Sequence, residues 1–396
     1  LSPAANAPQK AFRSTHRVQG NWYLYTVDLS AYAGQEGYVA IRHFGCTDQF
    51  LLDVDDITIE APSTDAGFAL EFISDHGFVT FTVDGKEVTK AEAGKTVTAT
   101  VTPNENFIAD DVVAHAFTEW SDAQAPQRRG LYKDVELTAA GENTWTFTMP
   151  EASVEFLVSY MKNVQLSVES GDITAALEAA AEGLPVNDLE LTLKSGSEYT
   201  ISNSMTAGGN IVVNGNGAKV DASALENAFI VLEGTKEFAQ KADGTDSDHK
   251  YISNLVVKGL TLTGMKNSFI KDAQKTLLEI LVVNDCNIEM PASNKNFIDF
   301  NGKGYVGLVW VTNSTIWAKD MNTGFFAQYG SRPKNVNGDW LQQFAIQNST
   351  IVNIANGKNM CDLKQNGTAQ NVYILSENIF VNCGKNGQTV VGFNKG

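Results

Sequence analysis

Between Ile252 and Gly396, short apolar segments alternate with polar bends in five successive near-copies of one pattern. The bends read Val257-Lys-Gly-Leu-Thr-Leu262, Val283-Asn-Asp-Cys-Asn-Ile288, Val311-Thr-Asn-Ser-Thr-Ile316, Ile346-Gln-Asn-Ser-Thr-Ile351 and Leu375-Ser-Glu-Asn-Ile-Phe380. Their last residues lie 26, 28, 35 and 29 positions apart. A second landmark keeps step further along each copy: Phe269-Ile270, Phe297-Ile298, Phe325-Phe326, Met360-Cys361 and Val390-Val391, spaced 28, 28, 35 and 30. A fixed period of this size marks a repeat architecture. Three strands per period with no helix between them predict a parallel β-helix, one repeat to each coil.

In such a stack, equivalent residues lie about 4.8 Å apart, and alternate residues face in and out. The row Val257, Val283, Val311, Ile346, Leu375 and the row Leu262, Ile288, Ile316, Ile351, Phe380 are uniformly apolar, which predicts inward stacks. The row Lys258, Asn284, Thr312, Gln347, Ser376 is uniformly polar, which predicts an outward one. The extra length before Met360, with Arg332-Pro333-Lys334, Gly338 and Trp340, reads as a surface insertion.

Residues 163–251 read as the start of the same solenoid. Asp172–Gly183 predicts its helix: Asp172 is a suitable N-cap, Gly183 a suitable stop, and Ile173, Leu177, Ala180 and Ala181 share a face. A short amphipathic helix here would cover the open end of the stack. The helix, Leu193-Lys-Ser-Gly-Ser-Glu-Tyr-Thr-Ile201 and the Asn/Gly-rich turn before Ala218-Lys-Val220 resemble the opening of the pectin-lyase-like right-handed β-helix superfamily. That resemblance spans 162–396 and implies fold more than activity.

Residues 63–161 read as a separate small β module. Thr80–Val83, Thr96–Val101 and Thr144–Met149 alternate as half-buried strands do, divided by the turns Asp84-Gly85, Pro103-Asn104 and Gly141–Asn143. Thr98–Asn104 together with Thr146–Pro150 resembles bacterial extracellular repeat modules of the internalin B-repeat type. In 1–62, Trp22–Gly34, Tyr38–Phe44 and Thr47–Ile57 resemble the closing strands of a cleaved-adhesin domain, the jelly roll of gingipain and haemagglutinin adhesin regions in Bacteroidetes. A jelly roll needs about eight strands and this stretch offers three or four, so the chain is expected to be truncated here, and again at Gly396 just after a strand.

Composition then narrows function. The formal net charge is −17 with no basic cluster, which disfavours nucleic acid and anionic membranes. Cys46, Cys286, Cys361 and Cys383 are too few and scattered for a disulfide framework and read as small buried thiols. No apolar run is long enough for a transmembrane helix.

Three sets of residues are candidates for chemistry. Asp53, Asp55 and Asp56 offer hard oxygen ligands, and resemblance to calcium-holding jelly rolls implies a structural Ca²⁺; a solvated acidic edge is the alternative. Parity puts Trp310 and Trp317 outward, with Tyr305, Tyr329 and Trp340 nearby, as a platform for apolar sugar faces. The alternative is a satellite cluster buried under the insertion. Lys271, Asp299 and Asp362 occupy one outward row, aligned with Ala327, where a lyase would hold a base beside an acidic anchor. The same residues would equally form a cross-strand ion pair. Asn313, Asn348 and Asn366 match the Asn-x-Ser/Thr acceptor pattern, which an Asn-rich solenoid also produces by chance.

The expectation is a secreted or outer-membrane surface, all-β, multi-module protein. Its β-helix would bind a polysaccharide or host glycan without cleaving it. A β-helix polysaccharide lyase or glycoside hydrolase is the runner-up, and a scaffold binding other surface proteins is a third reading.

Overall fold

The computed structural model describes residues 67–120, 130–234, 250–300, 304–329, 342–362 and 371–384. The segment resembling a cleaved-adhesin domain, 1–62, lies outside these residues, as do the insertion 330–341 and the landmark Val390-Val391. The described residues are almost entirely β, with one helix among them, and separate into two compact units.

The first unit is drawn from 67–102 and 111–159. Its five-stranded sheet has the spatial order Lys86–Glu87, Gly77–Val83, Thr96–Pro103, Thr144–Thr148, Thr138–Gly141. Thr96–Pro103 shows how the sequence makes this sheet: Val97, Ala99 and Val101 are buried while the intervening threonines keep access to solvent. Its register partner is the antiparallel Thr144–Thr148, with Val97 opposite Phe147. Asp84 and Gly85 both take positive φ, which suits the two-residue hairpin between Val83 and Lys86. Phe81 and Trp145 meet Phe156 edge-on at 5.8 and 6.4 Å, the geometry aromatic quadrupoles favour.

The second unit, drawn from 103–110 and 160–384, is built on the repeats. Successive long strands, Ile211–Asp221, Lys250–Thr263, Thr276–Asn284, Tyr305–Thr312, Gln342–Gln347 and Asn371–Ser376, pair in parallel, each with the next. A second parallel sheet runs Met205–Ala207, Ile230–Leu232, Ile270–Asp272, Ile298–Phe300, Ala327–Tyr329, Cys361–Asp362. The register stacks Val213, Val257, Val283, Val311, Ile346 and Leu375 in one row. Val220, Leu262, Ile288, Ile316, Ile351 and Phe380 form another. A third is aromatic: Phe229, Phe269 and Phe297 stack nearly parallel, with centroids 5.6 and 4.9 Å apart, and Phe326 follows at 4.9 Å with a tilt. Burying each such side chain contributes about 1.5–3 kcal/mol.

That aromatic row corrects the alignment of one repeat. Phe297 stacks on Phe326, not Phe325, and Ile298 pairs with Ala327. From Ile288 to Ile298 is 10 residues, from Ile316 to Ala327 is 11. The extra residue falls in the linker around the fully buried Asn322. Its amide donates to the Pro291 and Lys295 carbonyls and its Oδ1 accepts from Gly324 N, so the longer linker is held by a side chain acting as backbone.

The bends share one device. Gly259, Asp285, Asn313, Asn348 and Glu377 all take φ between 50° and 64°, the left-handed region. Asn and Asp tolerate it better than other side chains, and glycine freely. The following residue turns inward: Ser314 and Ser349 are buried, and each hydroxyl donates to the carbonyl two residues back, at 2.7 and 2.8 Å. Each hydroxyl also accepts from the backbone of the preceding repeat. This accounts for the Asn-x-Ser/Thr pattern at Asn313 and Asn348 as bend chemistry: Asn for the corner, Ser for the inward bond, Thr to restart the strand. Asn366 lies outside the described residues.

The helix runs Ile173–Ala181, with Asp172 as N-cap accepting from Thr174 N at 2.8 Å. It ends sooner than its sequence suggests, because Glu182 already takes the left-handed conformation and Gly183 continues it. Ile173 joins the core, Leu177 and Ala180 pack against it, and the buried Thr174 hydroxyl accepts from Ser202 N and Asn203 N.

Candidate functional site

The long strands carry apolar residues on both faces, the pattern of a parallel sheet covered on both sides. Inward rows fill the core. Outward, Val256, Val282, Trp310, Ala345 and Ile374 are in register as a further apolar row, within which Ala345 has no exposed surface. Leu308 and Ile280 continue it on one flank. On the other flank runs the polar row Lys258, Asn284, Thr312, Gln347, Ser376. Here Thr312 Oγ1 donates to Asn284 Oδ1 at 2.8 Å and Gln347 Nε2 donates to Ser376 Oγ at 3.0 Å. The Asn313 amide joins Asn284 from the bend at 3.0 Å. Trp310 keeps 39% of its surface exposed within this row, a large flat ring between two small neighbours, Val282 and Ala345.

Trp317 also points outward, but on the strand after the bend. Its row partners are Glu289 and Val352, and its indole Nε1 donates to Asn287 Oδ1 at 2.9 Å. The two indoles therefore belong to different strands with the polar bend row between them. Tyr305 and Tyr329 do not belong to an exposed platform: they are 3% and 1% exposed, and their rings meet 5.9 Å apart. Tyr329 follows Phe300 in an inward row, and burial pushes its phenol well above the ordinary value. Trp340 lies outside the described residues.

The proposed catalytic row comes together with one change. Lys271 and Asp299 are register partners, but the next residues are Gln328 and then Asp362. Ala327 is buried, because the extra linker residue shifts parity by one. Asn296 Nδ2 donates to Gln328 Oε1, and Gln328 Nε2 to Asp362 Oδ2, at 2.9 and 3.0 Å. Asp362 is buried and engaged in this chain of amides, which is the work of a structural carboxylate. Sequence reasoning did not single out Asp272. It lies inward in the row of Phe300, and its Oδ1 accepts from Thr276 N and Gln274 N at 2.9 and 3.1 Å, closing the turn after its strand. The spacing Asp-x-Gln-x-Thr after a strand was the available signal.

An acidic groove of about 640 Å³ lies on the face carrying Asp172, Thr200, Asp221, Thr263 and Glu289. Its carboxylates have local duties. Asp172 caps the helix, Asp221 Oδ1 accepts from Ser223 N, Glu289 Oε2 accepts from Gly264 N, and Glu198 pairs with Lys219. Among the described residues no three His, Cys, Asp or Glu side chains are grouped to hold a metal ion. Asp53, Asp55 and Asp56 lie outside them.

Comparison with known proteins bears on the N-terminal segment. Residues 3–59 match the Cleaved Adhesin Domain family. Hemagglutinin A of Porphyromonas gingivalis is 51% identical over 72 residues, which is 18% of this chain and 3% of that protein. Lys-gingipain W83 of the same organism is 53% identical over 60 residues, 14% of this chain and 3% of the relative. Gingipain R1 is 47% identical over 62 residues, 15% and 4% respectively. The similarity thus covers a small part of these long proteins.

Proposed function

We propose that this chain is part of a secreted or outer-surface adhesin whose repeat stack binds a glycan without cleaving it. The adhesin reading is supported by the Cleaved Adhesin Domain match at 3–59 and by the haemagglutinin and gingipain relatives. The repeats are proposed to turn as a right-handed parallel β-helix. Continuous parallel pairing supports this, since parallel crossovers are right-handed in about 98% of cases. Asp53, Asp55 and Asp56 are proposed to hold a structural Ca²⁺; native mass spectrometry with and without chelator tests this, and an unchanged mass and melting temperature would reject it.

The observation that carries the glycan reading is Trp310, exposed in an apolar row that runs beside a ladder of amides and hydroxyls. Flat apolar surface suits the C–H face of a pyranose, and the neighbouring Asn284, Thr312 and Gln347 suit its hydroxyls. Binding without cleavage is supported by the row of Lys271, whose downstream carboxylate, Asp362, is buried among amides. Screening the chain on a panel of plant, mucin and host polysaccharides tests the reading. Retention with no new reducing or unsaturated ends is expected; ultraviolet-absorbing unsaturated ends would establish a lyase instead. Absence of retention on every glycan would favour the third reading, adhesion to protein.

A further inference from the structure

We infer that the Trp310 face selects neutral glycans and rejects acidic ones. This rests on the glycan reading above and concerns the same face. Across five repeats, the outward residues in the Trp310 row and the rows on either side of it are uncharged, with Lys258 as the one exception. Lys258 stands two repeats away from Trp310, next to Val256 rather than beside the indole. The charged residues of the adjoining bends, Asp285 and Glu377, are acidic and occupy left-handed corners directly after the polar row. Among the described residues, a uronate, sialate or sulfate would meet no guanidinium or ammonium beside the ring. It would instead approach the carboxylate of Asp285, one repeat from the ring, on a chain whose net charge is −17.

The groups that do flank the ring are suited to hydroxyls. Asn284, Thr312 and Gln347 carry amides and a hydroxyl that can both donate and accept. They recur at the strand spacing of about 4.8 Å, comparable with one pyranose along an extended chain. A neutral, extended polysaccharide lying along the stack would place one ring on Trp310 and successive hydroxyls against successive repeats. No step requires a cation to bridge an acid group.

The test uses beads carrying a neutral β-glucan, a galactomannan, polygalacturonate or hyaluronan, with the full chain at about 0.15 M salt, where charges more than about 8 Å apart are largely screened. Retention on a neutral polymer and none on the acidic ones is expected. Trp310→Ala should weaken that retention about tenfold, the scale of one lost ring contact, with an unchanged circular dichroism spectrum. Thr312→Lys should bring in retention on the acidic polymers. Trp310-dependent retention on the acidic polymers by the unaltered chain would overturn this inference and leave the glycan reading standing. Retention that ignores Trp310 would overturn the assignment to this face. Retention on none would remove the glycan reading, and this inference with it.

Discussion

The middle of the repeat stack and its last described repeat use the same rows of residues in different surroundings. Val283, Val311 and Ile346 have no exposed surface, whereas Leu375, next in that row, is 40% exposed. The outward Ile379, next to Thr350 in its own row, is 60% exposed. The side chains hardly change between these places. What changes is whether a described strand lies on both sides or on one. In a repeat protein, stability is close to a sum of nearest-neighbour terms, so a row position is worth what its two neighbours bury.

Truncating side chains in the two places separates these terms. Phe297→Ala removes a ring stacked at 4.9 Å on both Phe269 and Phe326, and about 3–5 kcal/mol of stability should be lost in urea unfolding. Leu375→Ala should cost less than half of that, since its side chain already meets water. Equal losses would show that the last described repeat is as fully packed as the central ones.

Thiol chemistry offers a second contrast. Burial pushes the Cys286 thiol from 9.0 to about 11, and burial also raises that of the half-buried Cys383. A folded value above the unfolded one favours the folded state fully below pH 9, and that advantage disappears as pH rises toward 11. At about 1.4 kcal/mol per pH unit, Cys286→Ala should flatten the fall in stability over this window by up to about 3 kcal/mol. At pH 8, iodoacetamide should label Cys383 well before Cys286; the reverse order would contradict the burial of Cys286.

The bends give the smallest effect. Asn348 holds φ at 50° and donates to Asn313 Oδ1 at 2.7 Å. Asn348→Ala should cost about 1–2 kcal/mol through the left-handed backbone, while Asn348→Gly should recover most of it. A glycine variant as unstable as the alanine one would transfer the weight from backbone conformation to the side-chain bond.

The inward rows were legible because the period is regular and each position is apolar in every copy. The slip at Phe325-Phe326 arose because two adjacent phenylalanines satisfy the pattern equally, and only Asn322, bonding across to Pro291 and Lys295, selects between them. Tyr305 and Tyr329 join the platform in the sequence only by lying near Trp310 and Trp317 along the chain. Alignment of Tyr329 with Phe300 would have placed it inside. The outward apolar row was overlooked because the polar row beside it satisfied the expectation of alternation. Runs such as Leu281-Val282-Val283 and Val309-Trp310-Val311 are apolar without a break, and that continuity is the sign of a strand with two apolar faces.

In the proposed reading, the inward rows hold the stack together and Trp310 faces a ligand. Thermal unfolding of the unaltered chain and of Trp310→Ala, each with and without a saturating neutral β-glucan, tests it in one experiment. Ligand that binds only the folded state raises the melting temperature. Without glycan, Trp310→Ala should melt only modestly lower, since the ring is partly buried, and adding glycan should raise the melting temperature of the unaltered chain alone. A Trp310→Ala chain whose melting temperature rises as much with glycan as that of the unaltered chain would contradict it.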